Sequence, residues 1–233
     1  MSHESFLARL WAVFVRPGQA MEWVRERPRW LAAGLLLAIL GAFYAVITLP
    51  IAGPEQMELM RDTRLMRMMP EDQWQTQYEE SLNPTPTKRV TTGIGAAVAT
   101  FVIVLIYGLV YLLFGKLAGG KGTFKQVMGV TFWAYLIPGG LGNLLRIPLI
   151  FAKQSVMEVS LGLAALAPKE NMLSAGYQAL YYFGDFFVWW SLVVMVIGFQ
   201  KVHEISRGQA AVVTILPWLL VTGAMYGLGR IFM

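Results

Sequence analysis

The sequence predicts an all-α, polytopic membrane protein with five transmembrane helices and N-terminal amphipathic helices at the interface. Three observations predict it. Hydrophobic residues make up 56% of the 233, charged residues only 14%, and the mean hydropathy is +0.53. Soluble domains carry about 25% charge, and a soluble chain this apolar would expose patches it could not cover. Apolar runs long enough to cross a bilayer recur along the chain, and the clearest, Trp30 to Leu49, contains no charge. At about 1.5 Å per residue such a run reaches about 30 Å, the hydrocarbon thickness.

Residues 1–29 form a first unit. Phe6, Leu7, Leu10, Trp11 and Phe14 share one helical face, with Arg9 and Arg16 off it. Pro17 starts a second short helix with Met21 and Val24 on one side. Such helices lie in the headgroup layer or cap a bundle. The segment is not a signal peptide: Glu4 stands where a basic region belongs, and Arg9 interrupts the apolar stretch.

Residues 30–233 form the membrane unit. The first span covers 30–49, entered through Arg25, Arg27, Arg29 and Trp30 and ended by Pro50. Residues 51–90 are polar and helical in pattern, with a helix start at Pro70-Glu71-Asp72 and an end at Asn83-Pro84-Thr85-Pro86. This segment belongs outside the bilayer or along its surface. The second span covers 93–114. The third, 124–152, is kinked where Pro138, Gly139 and Gly140 interrupt it, with Pro148 further on. A mixed loop at 153–176 leads to the fourth span, 177–199, and the fifth covers 209–229.

Five spans place the termini on opposite sides. With the N-terminus in the cytoplasm, the inside segments 1–29, 116–125 and 200–208 carry ten Lys/Arg, against nine in the longer outside segments. The higher inside density follows the positive-inside rule. A bacterial cytoplasmic membrane is the expected location.

"GKLAGGKGTF", residues 115–124, nearly matches a phosphate-binding loop. That loop needs a strand before it and Ser or Thr directly after the Lys. Here a membrane span precedes it, and Gly122 follows Lys121. It is read as the turn between the second and third spans, held at the cytoplasmic side by Lys116, Lys121 and Lys125. No other catalytic pattern emerges. His203-Glu204 lacks the second His of a zinc protease motif, since position 207 is Arg. His203 is instead expected at the membrane surface beside Glu204. With no Cys and only His3 and His203, thiolate zinc sites and disulfides are excluded, and neither metal nor cofactor is expected. The net charge of +5 is spread beside apolar segments rather than gathered into a basic patch, which excludes nucleic acid as a partner.

Some residues stand out as candidates for a site. Asp185, read as lying about 12 Å along the fourth span, is costly there without a partner. Arg146, near the outer end of the third span, can reach similar depth, with Asn143 one turn away. The three form a candidate intramembrane polar site for protons, ions or lipid headgroups, or a structural ion pair, or Asp185 simply begins the helix nearer the surface. The break at Pro138, Gly139 and Gly140 is either an opening of backbone toward a substrate or a bend around neighbours. Gly223 and Gly227 form a G-x-x-x-G that permits close helix approach; packing inside the bundle is expected, and a homo-oligomer is the other use. Met57, Met60, Met66, Met68 and Met69 line an adaptable apolar face or offer soft sulfur ligands to Cu(I). Trp133, Trp189, Trp190 and Trp218 are read as lipid-facing or packing aromatics.

The order of several short motifs resembles the Yip1-domain family in its bacterial branch. They are Phe14-Val15-Arg16-Pro17 before the first span, the Gly120-Lys121 turn, Tyr135 and Pro138 in the third span, Asp185, Phe187 and Trp190 at the fourth, then Gly198 and Ser206. The resemblance covers nearly the whole chain and implies five helices with the N-terminus inside and the C-terminus outside. Eukaryotic members associate with Rab-type GTPases and carry an Asp-Leu-Tyr-Gly-Pro motif; this chain has no such motif, and that partnership is not carried over. The expected function is a non-enzymatic membrane organiser or adaptor, in contact with membrane lipids and with a protein partner at the cytoplasmic face. The alternative is a small transporter or lipid-moving protein working through Asp185 and Arg146.

Overall fold

The computed structural model describes residues 6–61, 70–167 and 174–232. Its elements, among the described residues, are helices α1 (Phe6–Val15), α2 (Pro17–Glu26), α3 (Trp30–Met60), α4 (Glu71–Leu82), α5 (Pro86–Leu117), α6 (Phe124–Leu136), α7 (Asn143–Lys153), α8 (Ala175–Phe183), α9 (Phe186–His203) and α10 (Arg207–Phe232). A π-helical stretch, Ile137–Gly142, joins α6 to α7. Among the described residues, four helical segments are long and apolar enough to cross a membrane: Trp30–Met60, Pro86–Leu117, Phe124–Lys153 and Phe186–His203. The 26-residue α10 packs along α9 and α5 and is uncharged from Gly208 to Gly229. The fold is therefore all-α and polytopic.

Alternation of direction gives the bundle two ends. The near end carries α1, α2 and the turn from α5 to α6. The far end carries α4 and the segment 154–167. Along the outside of α3, Leu31, Leu35, Ile39 and Phe43 are exposed, and Ile94, Val98, Val102 and Ile106 do the same on α5. Continuous apolar stripes on helices that satisfy their own backbone bonds are what lipid contact requires. The interior is filled by Leu37, Tyr111, Met128, Phe132, Trp133, Met195 and Phe199.

α2 does not lie apart from this core. Ala20, Met21 and Val24 are buried on α6 and α9, at the positions whose apolar side the sequence marks. A Cβ on Gly198 would come within 2.8 Å of the Met21 sulfur, and one on Gly129 within 2.8 Å of Val24, so two glycines give α2 its seat. On α1 the buried residues are Ala12 and Val13, while Trp11 is 67% exposed. Leu10 and Phe14 of the expected face also pack against the core, so the inward side of α1 is broader than that face and takes in Ala12 and Val13 but not Trp11.

Two boundaries differ from the sequence reading. α3 does not end at Pro50; it runs through Pro50 and Pro54 to Met60. Each proline removes one backbone donor, but Ile51 packs on Ile150 and Val159 and holds the helix beyond them. At Pro138 the third span passes from α-helical to π-helical geometry over Ile137–Gly142, which accommodates the donor the proline lacks. Gly139 and Gly140 there admit Leu37 and Leu40 of α3: added Cβ atoms would lie 2.8 and 3.3 Å from their Cδ1 atoms. The fourth span is not continuous. It divides at Gly184 and Asp185 into α8 and α9.

Candidate functional site

The division of the fourth span creates the far-end site. Gly184 and Asp185 leave the helical path and pair with the 161–163 segment: Leu163 N donates to Gly184 O at 3.1 Å and Phe186 N to Leu161 O at 3.3 Å. Gly162 is required, because a Cβ there would stand 2.1 Å from Gly184 O. Asp185 thus becomes the N-cap of α9 rather than a residue within a helix. Its Oδ1 accepts from Phe187 N at 2.8 Å and Val188 N at 3.0 Å. A carboxylate in this place satisfies two orphan amides and faces the positive end of the helix dipole.

The other oxygen, Oδ2, accepts from Arg146 Nη2 of α7. Arg146 Nη1 donates to Asn143 Oδ1 at 3.0 Å. The structure thus brings Asp185, Arg146 and Asn143 together, with Asp185 5% exposed. Tyr44 of α3 and Tyr181 of α8 lie within electrostatic reach of the guanidinium. Arg146 Nε is buried with no hydrogen-bond partner among the described residues. The cost of carrying Asp185 in the bundle is offset by the cap and the ion pair, so the carboxylate has a structural use whatever else it does.

Sequence reasoning missed a second far-end anchor. The Glu55 carboxylate, on the extension of α3, accepts from Val156 N at 2.7 Å, Met157 N at 3.3 Å and the Ser155 hydroxyl. It closes the turn after α7. No local pattern signals this, because Glu55 and Ser155 are a hundred residues apart.

The near end holds the answer to the glycine-rich turn. His203, the last residue of α9, is fully buried, not on the surface. Gly122 N donates to its Nδ1 at 3.2 Å, and Lys121 N donates to its backbone oxygen at 3.0 Å. Cβ atoms on Gly115, Gly120 and Gly122 would come within 2.2, 2.5 and 2.8 Å of the imidazole. The three glycines form a socket for the ring. The spacing that mimics a phosphate loop is explained by this fit, and the ring occupies the space an anion would need. Outside the socket, Lys121 Nζ meets Glu204 Oε2 at 2.9 Å, which draws the Glu204 carboxyl below its ordinary range. Glu22 of α2 is likewise lowered, first by its hydrogen bond from Lys201 on α9 at 2.7 Å.

The remaining candidates separate. Cβ atoms on Gly223 and Gly227 would meet nothing within 4 Å. Among the described residues, therefore, no other helix is seated on them. Of the tryptophans, Trp133 and Trp218 are buried and Trp189 is half-exposed. Trp133 Nε1 donates to Pro28 O at 3.3 Å, tying α6 to the chain entering α3. Met57 and Met60 line a far-end groove; Met66, Met68 and Met69 lie outside the described residues.

The bundle, its near-end helices and its far-end polar pairings define a polytopic α-helical membrane protein. The Yip1 domain model matches residues 11–228, and the chain belongs to that family. It is similar to the membrane protein YknW of Bacillus subtilis (strain 168), 24% identical over 224 residues that cover 94% of this chain and 90% of that protein. No solved structure matches it significantly.

Proposed function

We propose that this protein is a non-enzymatic membrane organiser or adaptor of a bacterial cytoplasmic membrane, with the near end in the cytoplasm. The observation that carries this reading is the near-end surface. α1 and α2 are seated firmly on α6 and α9, yet Trp11 and Leu117 are 67% and 75% exposed, with Val15 and Phe124 also exposed. Arg16, Lys116 and Lys125 stand directly beside Val15, Leu117 and Phe124 in sequence. Apolar side chains on a rigid, basic rim suit a protein partner or the headgroup layer. The density of Arg and Lys supports the N-inside orientation.

The alternative, a small transporter or lipid-moving protein working through Asp185 and Arg146, has less in its favour. Both carboxylate oxygens of Asp185 are engaged, leaving little for a passing ligand. A photo-reactive amino acid at Trp11 or Leu117, introduced in living cells, distinguishes the two readings. The adaptor reading expects discrete protein adducts at both positions and none at Ile106, on the lipid-facing side of α5. Equal labelling at all three, or ion leak or lipid scrambling in liposomes that disappears in Asp185→Asn, would contradict it.

A further inference from the structure

At the far end, α4 leans on α3 and leaves a groove of about 870 Å³ over the first turns of α5. Its floor includes Leu49, Met57 and Pro84; its polar wall includes Gln56, Gln77, Glu80, Thr87 and Lys88. Lys88 and Glu80 are exposed, and neither makes an ion pair among the described residues. Among the described residues the groove therefore presents one cation and one anion, neither held in an ion pair.

Its position selects the occupant. The charge-free run of α3 ends before Glu55 and the uncharged part of α5 begins at Val90, and the groove residues Gly53, Gln56, Lys88 and Thr91 flank those two boundaries. This is the level at which lipid headgroups meet the hydrocarbon. Thr87 and Thr91, on the groove, stand on the same face of α5 as Ile94, Val98 and Val102, spaced by three or four residues. That face is exposed below the groove, with Ile94 at 62%. A polar cleft at the head of an exposed apolar stripe fits an amphiphile better than a soluble ion.

We propose that the groove binds a zwitterionic phospholipid headgroup. Lys88 and the Thr87 and Thr92 hydroxyls take the phosphate, since the Thr91 hydroxyl already donates to the Thr87 and Lys88 carbonyls; Glu80 and the Gln56 and Gln77 amides take the primary ammonium, and one acyl chain runs along Ile94, Val98 and Val102. The inference stands apart from the adaptor reading and uses none of its residues.

The test is native mass spectrometry of the full chain in detergent, titrated with phosphatidylethanolamine, phosphatidylglycerol and soluble glycerophosphoethanolamine. Wild type, Lys88→Gln, Glu80→Gln and the near-end control Lys121→Gln are compared. Lys88→Gln should weaken phosphatidylethanolamine retention about tenfold, the loss of one charge-assisted contact. Glu80→Gln should weaken phosphatidylethanolamine but not phosphatidylglycerol, and Lys121→Gln should change neither. Because both groove residues are exposed, unchanged melting temperatures should accompany these losses. Equal retention by all four proteins would mean only annular lipid and would overturn the proposal. Soluble glycerophosphoethanolamine binding as tightly as the lipid would overturn it too, in favour of a soluble phosphate ester.

Discussion

The two ends of the bundle are fastened by different physics. At the near end the deepest fastenings are steric, with the Glu22–Lys201 and Lys121–Glu204 pairs at their rim: Gly198 and Gly129 seat Met21 and Val24, and Gly115, Gly120 and Gly122 enclose His203. At the far end they are polar: Arg146 with Asp185, and Glu55 with the 155–157 turn. Steric seats fail when atoms are added, and polar pairs fail when one partner is removed. Substitutions at the two ends should therefore behave in opposite ways.

The largest effect is expected at the ion pair. Asp185→Ala strips the α9 cap and leaves a mostly buried guanidinium without its carboxylate, at a cost of about 3–5 kcal/mol. Unfolding of the purified protein in SDS–detergent mixtures measures it. The Arg146→Ala/Asp185→Ala double variant should lose clearly less than the sum of the single losses. Additive losses would mean that the two side chains act separately.

Next in size is the socket. Gly115→Ala should cost about 1–3 kcal/mol, because the new methyl overlaps the imidazole and the ring cannot retreat. Adding His203→Ala should make Gly115→Ala nearly harmless in the same assay. If Gly115→Ala stays equally damaging without the ring, the histidine is not what the glycine accommodates. At the far end, Glu55→Gln weakens charge-assisted bonds to the turn after α7. It should raise amide hydrogen exchange at Val156 and Met157 with little change in global unfolding. Unaltered protection there would remove Glu55 from the account.

The smallest effect concerns pH. The Glu22 and Glu204 carboxyls are lowered from the ordinary 4.5 by Lys201 and Lys121. Groups depressed in the folded state contribute stability that is complete above the unfolded value and is lost as pH falls through the folded one. Both are substantially exposed, so the slope is shallow. Lys201→Gln should flatten the decline in melting temperature below about pH 4.5; an unchanged slope would show that the Glu22 contact is not populated in solution.

Much of this was legible in the sequence, unevenly. The charge-free run after Trp30, and the sidedness of Met21 and Val24, follow from composition and helical period, which are local. Pairing Asp185 with Arg146 was also within reach, because charges in apolar segments must find partners. An Asp185 that begins a helix is among the sequence readings, but the break that splits the span ahead of it is not. It depends on Gly184 meeting Leu163 across a loop, and an unbroken apolar run conceals it. His203 was misplaced for a similar reason. Next to Glu204, Lys201 and Arg207 it reads as surface, and only the approach of three glycines from another helix and turn reveals a buried ring. Pro50 misled in the other direction, since the contacts that carry α3 past it, Ile150 and Val159, lie a hundred residues away.

The central claim is that the steric end and the polar end lie on opposite sides of a membrane, with the steric end in the cytosol. The chain contains no cysteine, so single cysteines report position without background. Lys88→Cys and Lys121→Cys proteins are expressed in cells, and spheroplasts are treated with a membrane-impermeant maleimide. Position 88 should label in intact spheroplasts, and position 121 only after lysis. Labelling of position 121 before lysis, with protection of position 88, would contradict the orientation, and labelling of both before lysis would contradict the separation itself.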